Sequence, residues 1–319
     1  MASGSRQRGI ALITVLLVFA LAAIIASDVA SRIYRDIRKT SNLINSKQAY
    51  QYALAGEQFA RQILFRDYRD EKELHVDALT DAWANIGEIF NIEEGGMTIK
   101  IIDLQSKFNI NNVVDDQGLA NLASLEQFRQ LLSVLKIDQS VASKLVDWQD
   151  ANRSKLKNGA EDEAYQPLGY LPANRPMVDR TELRLLDELS TEDYTVLKSH
   201  IVALPLTVND KKIGPTKYNL NTLDAKIIEA LLDPSRSSDL AKIAAQQKKG
   251  GYDTVLMWSA NDFFQGLTVS GSQLSVNSEF FEISITVKYD QRVSILRTHL
   301  YRDSSDGKIT VLKRQQGIE

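Results

Sequence analysis

The chain has 319 residues, a formal net charge of -3 and no cysteine. That length suffices for two or more modules with cores of their own. The missing thiols exclude disulfides, thiolate metal sites and cysteine catalysis, and the mild acidity carries no polyanion-binding signature.

The chain opens with a basic head, Arg6-Gln7-Arg8-Gly9, followed at once by the uncharged apolar run Ile10 to Ala26. Its 17 residues, with Thr14 as the polar member, lie at the low end of what crosses a hydrocarbon core as a helix. A spanning run places Arg6 and Arg8 on the cytoplasmic side and everything after Ser27 across the membrane. A secretory signal cleaved near Ala26 to Ala30 also fits the head and the run. The residues that follow favour a continuing helix instead. Val29, Ile33 and Ile37 keep one-face spacing, and Ala49, Ala53, Phe59, Ala60, Ile63 and Leu64 extend an amphipathic pattern. No proline precedes Pro167, and Gly56 is the only glycine between Gly9 and Gly87. Ile10 to about Phe65 therefore reads as one helix, roughly 80 Å long.

Basic head, glycine, immediate apolar run and long helix together resemble a type IV pilin-like precursor. The resemblance implies that a prepilin peptidase cuts after Gly9 and that Ile10 becomes a methylated amino terminus. It also implies a glutamate at the fifth mature position, where this chain has Thr14. A subunit lacking that glutamate resembles the K-type minor pseudopilin of type II secretion systems.

Further along, Arg66 to Glu73 is a charge run, expected as a solvated helix end or loop. Asp81-Ala82-Trp83-Ala84 is a short apolar patch expected to pack on the long helix. Gly95-Gly96 signals a turn, and Met97, Ile99 and Ile101 then alternate with polar residues as a half-buried strand. Phe108-Asn109-Ile110-Asn111 reads as a strand running into asparagine turn chemistry. It also resembles a K-type motif in which a glycine stands where this chain has Ser106, which implies a looser turn here.

The period then becomes helical. Ser124 and Gln127 form a candidate capping box ahead of Leu125, Phe128, Leu131, Leu132 and Leu135. A second helix starts at Asp138 to Ser140 and ends near Asp147 to Asp150. Residues 151–176 read as loop. Asp179 to Glu182 is another capping box, Ser190 to Asp193 starts a helix through Ile201, and Pro205 stops it. Asn219 to Thr222 is expected to cap a helix carrying Leu223, Ile227 and Leu231. Helices are expected near 238–248 and 253–264. The repeated short capped helices at 124–150 and 221–264 suggest two small bundles of sterile-alpha-motif or helix-hairpin-helix type. After Gly271 the period returns to two, through Phe281 to Tyr289 and Val293 to Tyr301, and Asp306-Gly307 signals a hairpin to Ile309 and Val311.

The expected fold is α+β: a long amino-terminal helix on one antiparallel sheet, interrupted by a large inserted all-α domain. The boundaries are 1–9 for the leader, 10–116 for the helix and first strands, 117–272 for the insert and 273–319 for the closing strands.

Four carboxylates (Asp147, Asp150, Glu161 and Asp162) and the Asn152 carboxamide fall within 16 residues. Hard cations such as calcium take about six to eight oxygens, often from one irregular loop. A solvated acidic loop is the plainer reading of the same spacing. The K-type resemblance implies structural calcium here, with Asn152 standing where an acidic residue is common. A paired-carboxylate hydrolase has no nearby histidine, nucleophile elbow or phosphate loop behind it, and His75, His200 and His299 are scattered singly. No enzyme is expected. The resemblance implies a structural subunit at the tip of the pseudopilus, anchored in the inner membrane with its bulk in the periplasm. It would be partnered by I-type and J-type minor pseudopilins and other pseudopilins, and would bind no nucleic acid. The alternative is a helix-hairpin-helix DNA-binding protein of a competence-type pilus.

Overall fold

The computed structural model describes residues 6–70, 75–86, 89–259 and 269–317. Helix α1 (Arg6–Asp70) runs unbroken for 65 residues, about 100 Å. Strands β1 (Ile89–Ile92) and β2 (Gly95–Asp103) form a hairpin, and β3 (Phe108–Asn109) follows. The helical region holds α2 (Leu122–Val134), α3 (Ser140–Gln149), α4 (Asp162–Tyr165) and α5 (Thr191–Leu197). Next come the short strands β4 (Ile201–Val202), β5 (Thr207–Val208), β6 (Lys211–Lys212) and β7 (Tyr218–Asn219). Helices α6 (Ala225–Leu231), α7 (Leu240–Gln247) and α8 (Val255–Ser259) lead to β8 (Leu274–Ser275). Strands β9 (Phe280–Tyr289), β10 (Arg292–Arg302) and β11 (Ile309–Gln316) close the chain.

The sheet has the order β1-β2-β9-β10-β11 and is antiparallel throughout. In that register Ile99 faces Ile285, and Ile285 faces Leu296. The chain thus leaves the sheet after Asp103 and rejoins it beside the same strand at Phe280, as the shift of period implied. Ala49, Ala53, Ala60 and Leu64 of α1 are fully buried against Met97, Ile99, Phe281 and Ile285. Gly56 lies on the same stripe, where a Cβ would be driven onto the Met97 sulfur. Small residues here let the helix lie close on the pleat. Phe59, expected on this face, is displaced to its flank and meets the Phe90 ring edge-on at 5.4 Å. Trp83 joins the same core, edge-on to Phe281. Of the charge run, 66–70 ends α1 and 71–73 lie outside the described residues, as do residues 1–5 of the expected leader.

Several local expectations are corrected. The first hairpin turns at Glu93-Glu94, with Glu94 at φ +59°, and Gly95-Gly96 belong to β2. Gly95 is needed because the Lys288 carbonyl occupies the place of its Cβ. The α2 cap is Asn121, whose side chain accepts from Ser124 N, not Ser124 itself. Helix α5 ends at Leu197, well short of Pro205, and Ile201 is a strand residue. Asp224, not Asn219 to Thr222, caps α6. Helix α8 covers Val255–Ser259, and residues 260–264 of the expected helix lie outside the described residues. The two expected bundles share one core: Leu125, Phe128 and Leu145 pack in the same cluster as Ile227, Leu231 and Ile243.

Candidate functional site

The asparagine motif is structural. Asn109 Oδ1 accepts from Asn111 N and Leu204 N, and Asn111 bridges Met177 through both its N–H and its carbonyl, at 2.9 and 2.8 Å. The expected looser turn at Ser106 is closed by the Ser106 hydroxyl, which donates to the Asp103 carbonyl at 2.6 Å. The same device recurs at Tyr218-Asn219-Leu220-Asn221. Asn219 Oδ1 accepts from Asn221 N, and Asn221 bridges the backbone of Tyr252 at 2.7 and 3.0 Å. Each copy also carries a two-residue strand in parallel pairing, β3 with β4 and β7 with β8. The aromatic-Asn-aliphatic-Asn repeat is visible in the sequence, although the second copy, Asn219 to Thr222, reads there as a helix cap and not as a repeat of the first.

The acidic loop hangs from the end of α3. Asp147 is fully buried in the last turn of that helix, and its carboxylate accepts from Leu156 N at 3.2 Å. Gly159 packs so close to this carboxylate that a Cβ would overlap it. Asp150 is buried; its Oδ2 accepts from the Asn152 carboxamide at 2.9 Å, while its Oδ1 has no hydrogen-bond partner. Glu161 is 7% exposed, and neither carboxylate oxygen has a hydrogen-bond partner. Asp162 sits at the rim, 3.8 Å from the Arg153 guanidinium. The Asn152 oxygen is taken by Ser154 N at 2.6 Å.

The electrostatics follow from that crowding. Burial pushes the Asp147 carboxyl up to about 6, helped by the Asp150 charge. Burial, then Asp147, Asp150 and Asp162, push Glu161 up to about 7. Burial also raises Asp150. These shifts mark carboxylates that feel one another in a poorly solvated place. Orphaned buried oxygens of hard-donor type fit an oxygen-seeking cation. Even so, among the described residues no three Asp, Glu, His or Cys side chains stand in ligating geometry about one point. Asp147, Asp150 and Glu161 are gathered; Asp162 and Asn152 are turned to other partners.

At the other end of the chain, Ile10, Ile13, Leu17 and Ile24 are each more than half exposed. The first third of α1 is thus long and apolar enough to cross a membrane, with none of it packed on the body, and fits single-pass anchoring. Thr14 Oγ1 donates to the Ala11 carbonyl at 2.9 Å, so the hydroxyl is satisfied inside the helix.

Two family models match the chain, both for the type II secretion system (T2SS), protein K. One covers residues 106–206 and the other 218–282; each begins at a copy of the asparagine motif. The type II secretion system protein K of Pseudomonas aeruginosa is 34% identical, over 98% of this chain and 93% of its own. That of Klebsiella pneumoniae is 32% identical, over 90% of this chain and 91% of its own. A chain in the crystal structure of the GspK-GspI-GspJ complex from the enterotoxigenic Escherichia coli Type 2 Secretion System matches with a TM-score of 0.74. It covers 88% of this chain and 100% of itself at 23% identity, and so shares the fold.

Proposed function

Because the chain belongs to the type II secretion system protein K family, we propose that it is the non-enzymatic subunit at the tip of the periplasmic pseudopilus. The observation that carries this reading is the union of an unpacked apolar anchor with a bulky helical body inserted between two adjacent sheet strands. A filament of such chains grows by packing anchors side by side. The inserted body gives this subunit a head that hinders another from stacking above it, and Thr14 removes the carboxylate that would pair with a neighbour's amine. Both features suit a terminal place from which assembly starts.

In this reading a prepilin peptidase cuts between Gly9 and Ile10, the amino end faces the cytoplasm and the anchor sits in the inner membrane. I-type and J-type minor pseudopilins are its immediate partners, in keeping with the complex in which the structural neighbour was crystallised. Calcium would be held at the acidic loop by Asp147, Asp150 and Glu161, with Asn152 and Asp162 as the further candidate oxygen donors, and its role would be structural. A bound divalent cation would supply counter-charge to the buried Asp150 and Glu161 oxygens that have no hydrogen-bond partner. The protein's share is to keep Asp150 and Glu161 oxygens free of other partners and to hold the loop against α3. DNA binding through the 219–264 hairpin gains no support, since Asp233 and Asp239 flank its connection.

Co-expression of the full chain with I-type and J-type minor pseudopilins, followed by detergent extraction, tests the assembly reading. A stable ternary complex whose K-type chain begins at Ile10 is expected. A mature terminus near Ser27, or a chain that purifies alone, would sink it.

A further inference from the structure

The sheet face turned away from α1 carries a second polar site. Along β10, Ile295, Arg297 and His299 alternate with Leu296, Thr298 and Leu300, which are buried toward the helix. The outward set lines a cleft of about 390 Å³ between the sheet and the helical body. Its other wall holds Arg180, Arg184 and Lys198.

Two carboxylates also line the cleft, and both are engaged. Glu282 meets His299 Nε2 at 3.0 Å. Asp179 accepts from Thr181 N at 2.9 Å and is ion-paired with Lys313. Burial pushes the Asp179 carboxyl up, but the Lys313 and Thr181 hydrogen bonds outweigh it and bring it down to about 2. It therefore stays ionised and occupied. Arg180, Arg184 and Lys198 are in a different position: none of them forms an ion pair among the described residues. Arg180 donates to the Lys198 carbonyl at 3.0 Å, and Arg184 lies over the Tyr194 ring at 5.8 Å. Their field reaches Lys107, whose ammonium is held below its usual range by burial first and by Arg180 second. Unneutralised cations on a concave wall concentrate anions.

The lining narrows the kind of anion. The backbone N–H groups that open the 180–185 turn would ordinarily suit a phosphate. Here the Asp179 carboxylate already accepts from Thr181 N, and Glu182 turns back onto Val178 N and Asp179 N, so carboxylates occupy the place a phosphate would take. What remains is side-chain charge above an apolar wall of Leu104, Ile295 and the Tyr194 ring. Charge at the rim and hydrocarbon on the wall fit a carboxylate carried on a short stem, which guanidinium groups clasp well. We propose that this cleft binds an acidic peptide segment of a partner protein, seating an Asp or Glu carboxylate among Arg180, Arg184 and Lys198 with its stem on Ile295 and Tyr194. The site is independent of the acidic loop and of the tip assignment.

The test is a titration of the full chain in neutral detergent with a rhodamine-labelled blocked tetrapeptide, acetyl-Leu-Glu-Leu-Glu-amide, read by anisotropy. Saturable binding is expected, weakening as salt rises from about 50 to 300 mM. The Arg184→Gln/Lys198→Gln variant should bind about tenfold more weakly or worse, at an unchanged melting temperature, while Arg184→Lys, which keeps the charge but loses the planar fork, should fall between that variant and the parent. Equal binding of acetyl-Leu-Gln-Leu-Gln-amide, or of the double variant, would overturn the proposal. So would inorganic phosphate displacing the probe as well as unlabelled peptide does, which would make this a bare oxyanion site. A chain ending at Gly317 that binds the probe where the full chain does not would assign the cleft to the chain's own terminal Glu319, and would likewise overturn a partner segment.

Discussion

Asn219 donates its carboxamide to Asp103 Oδ2 at 3.0 Å, joining the end of β2 to the helical body across 116 residues of chain. Asp103 also accepts from the Thr222 hydroxyl, from the Ser278 hydroxyl at 2.6 Å and from Gln105 N at 2.8 Å. Asn219 further donates to the Asp77 carbonyl, and the Asp77 carboxylate holds Arg302 of β10. One buried polar network therefore ties anchor-bearing sheet and inserted body into a single lever.

Asn219→Ala removes the two N–H groups shared among Asp103 Oδ2, the Asp77 carbonyl and the Ser278 hydroxyl, and the Oδ1 that accepts from Asn221 N. The expected loss is about 2–4 kcal/mol of unfolding free energy, read from the denaturation midpoint of the detergent-solubilised chain. An unchanged midpoint would mean that the two bodies are held by apolar packing alone.

The two asparagine motifs predict a matched pair of effects. Asn111 and Asn221 each bridge both backbone groups of one distant residue, so Asn111→Ala and Asn221→Ala should destabilise about equally, by about 2–3 kcal/mol. Gly251 stands at φ +75° with the Asn221 carboxamide where its Cβ would lie. Gly251→Ala should therefore reproduce the Asn221→Ala loss, through strain and displacement together. A Gly251→Ala chain as stable as the parent would show that the second motif is loosely seated.

How far the sequence could be read depended on the range of each interaction. The period-3.6 stripe from Ala49 to Leu64 and the period-two runs at 97–101 and 281–301 are local patterns, and they locate α1 and the sheet correctly. Glu57 could not be placed this way. It is wholly buried in α1, accepting from Thr298 at 2.8 Å and from Arg314 at 2.7 Å, and those partners lie 241 and 257 residues away. Asp179 to Glu182 and Ser190 cap where expected, but the caps of α2 and α6 were missed by a few residues because several Asx and Ser candidates stand near each start. In the acidic loop, spacing put Asp147, Asp150, Asn152, Glu161 and Asp162 within 16 residues but did not say which of them meet. Nothing in the spacing could reveal that Asp150 and Glu161 keep unpartnered oxygens while Asn152 turns to Ser154.

Those raised carboxyls set a pH dependence with a definite sign. A group whose folded pKa lies above its unfolded value stabilises the fold when protonated, and that contribution disappears as pH rises through the folded value. Without added metal, stability at the acidic loop should fall as pH rises from about 4, where the unfolded carboxyls ionise, to about 7, through Asp147 near 6 and Glu161 near 7. If the loop holds calcium as proposed, the ion acts on the ionised form, so its stabilising effect should grow between about pH 5 and 8. Glu161→Gln should raise the metal-free melting temperature at pH 8 by about 2–4 °C and reduce the calcium-dependent rise. A calcium shift that is equal at pH 5 and pH 8 would remove these carboxylates from the ion's site.

Thr14 offers the sharpest test of the terminal placement. Its hydroxyl is bonded to Ala11 within the helix, so Thr14→Val leaves no unpaired polar group in the apolar run. Thr14→Val should insert, mature at Ile10 and co-purify with its partners as the parent does, whereas Gly9→Val should retain residues 1–9 by mass spectrometry. Thr14→Glu adds an ionisable group that costs about 2.5–3.5 kcal/mol in hydrocarbon unless an amine meets it. If its absence helps to confine the subunit to the end, supplying it should let the chain enter interior positions. Quantitative immunoblotting of sheared filaments should then find more than one copy per filament. A copy number that stays at one would assign the terminal position to the inserted helical body alone, since that body is unchanged in the variant.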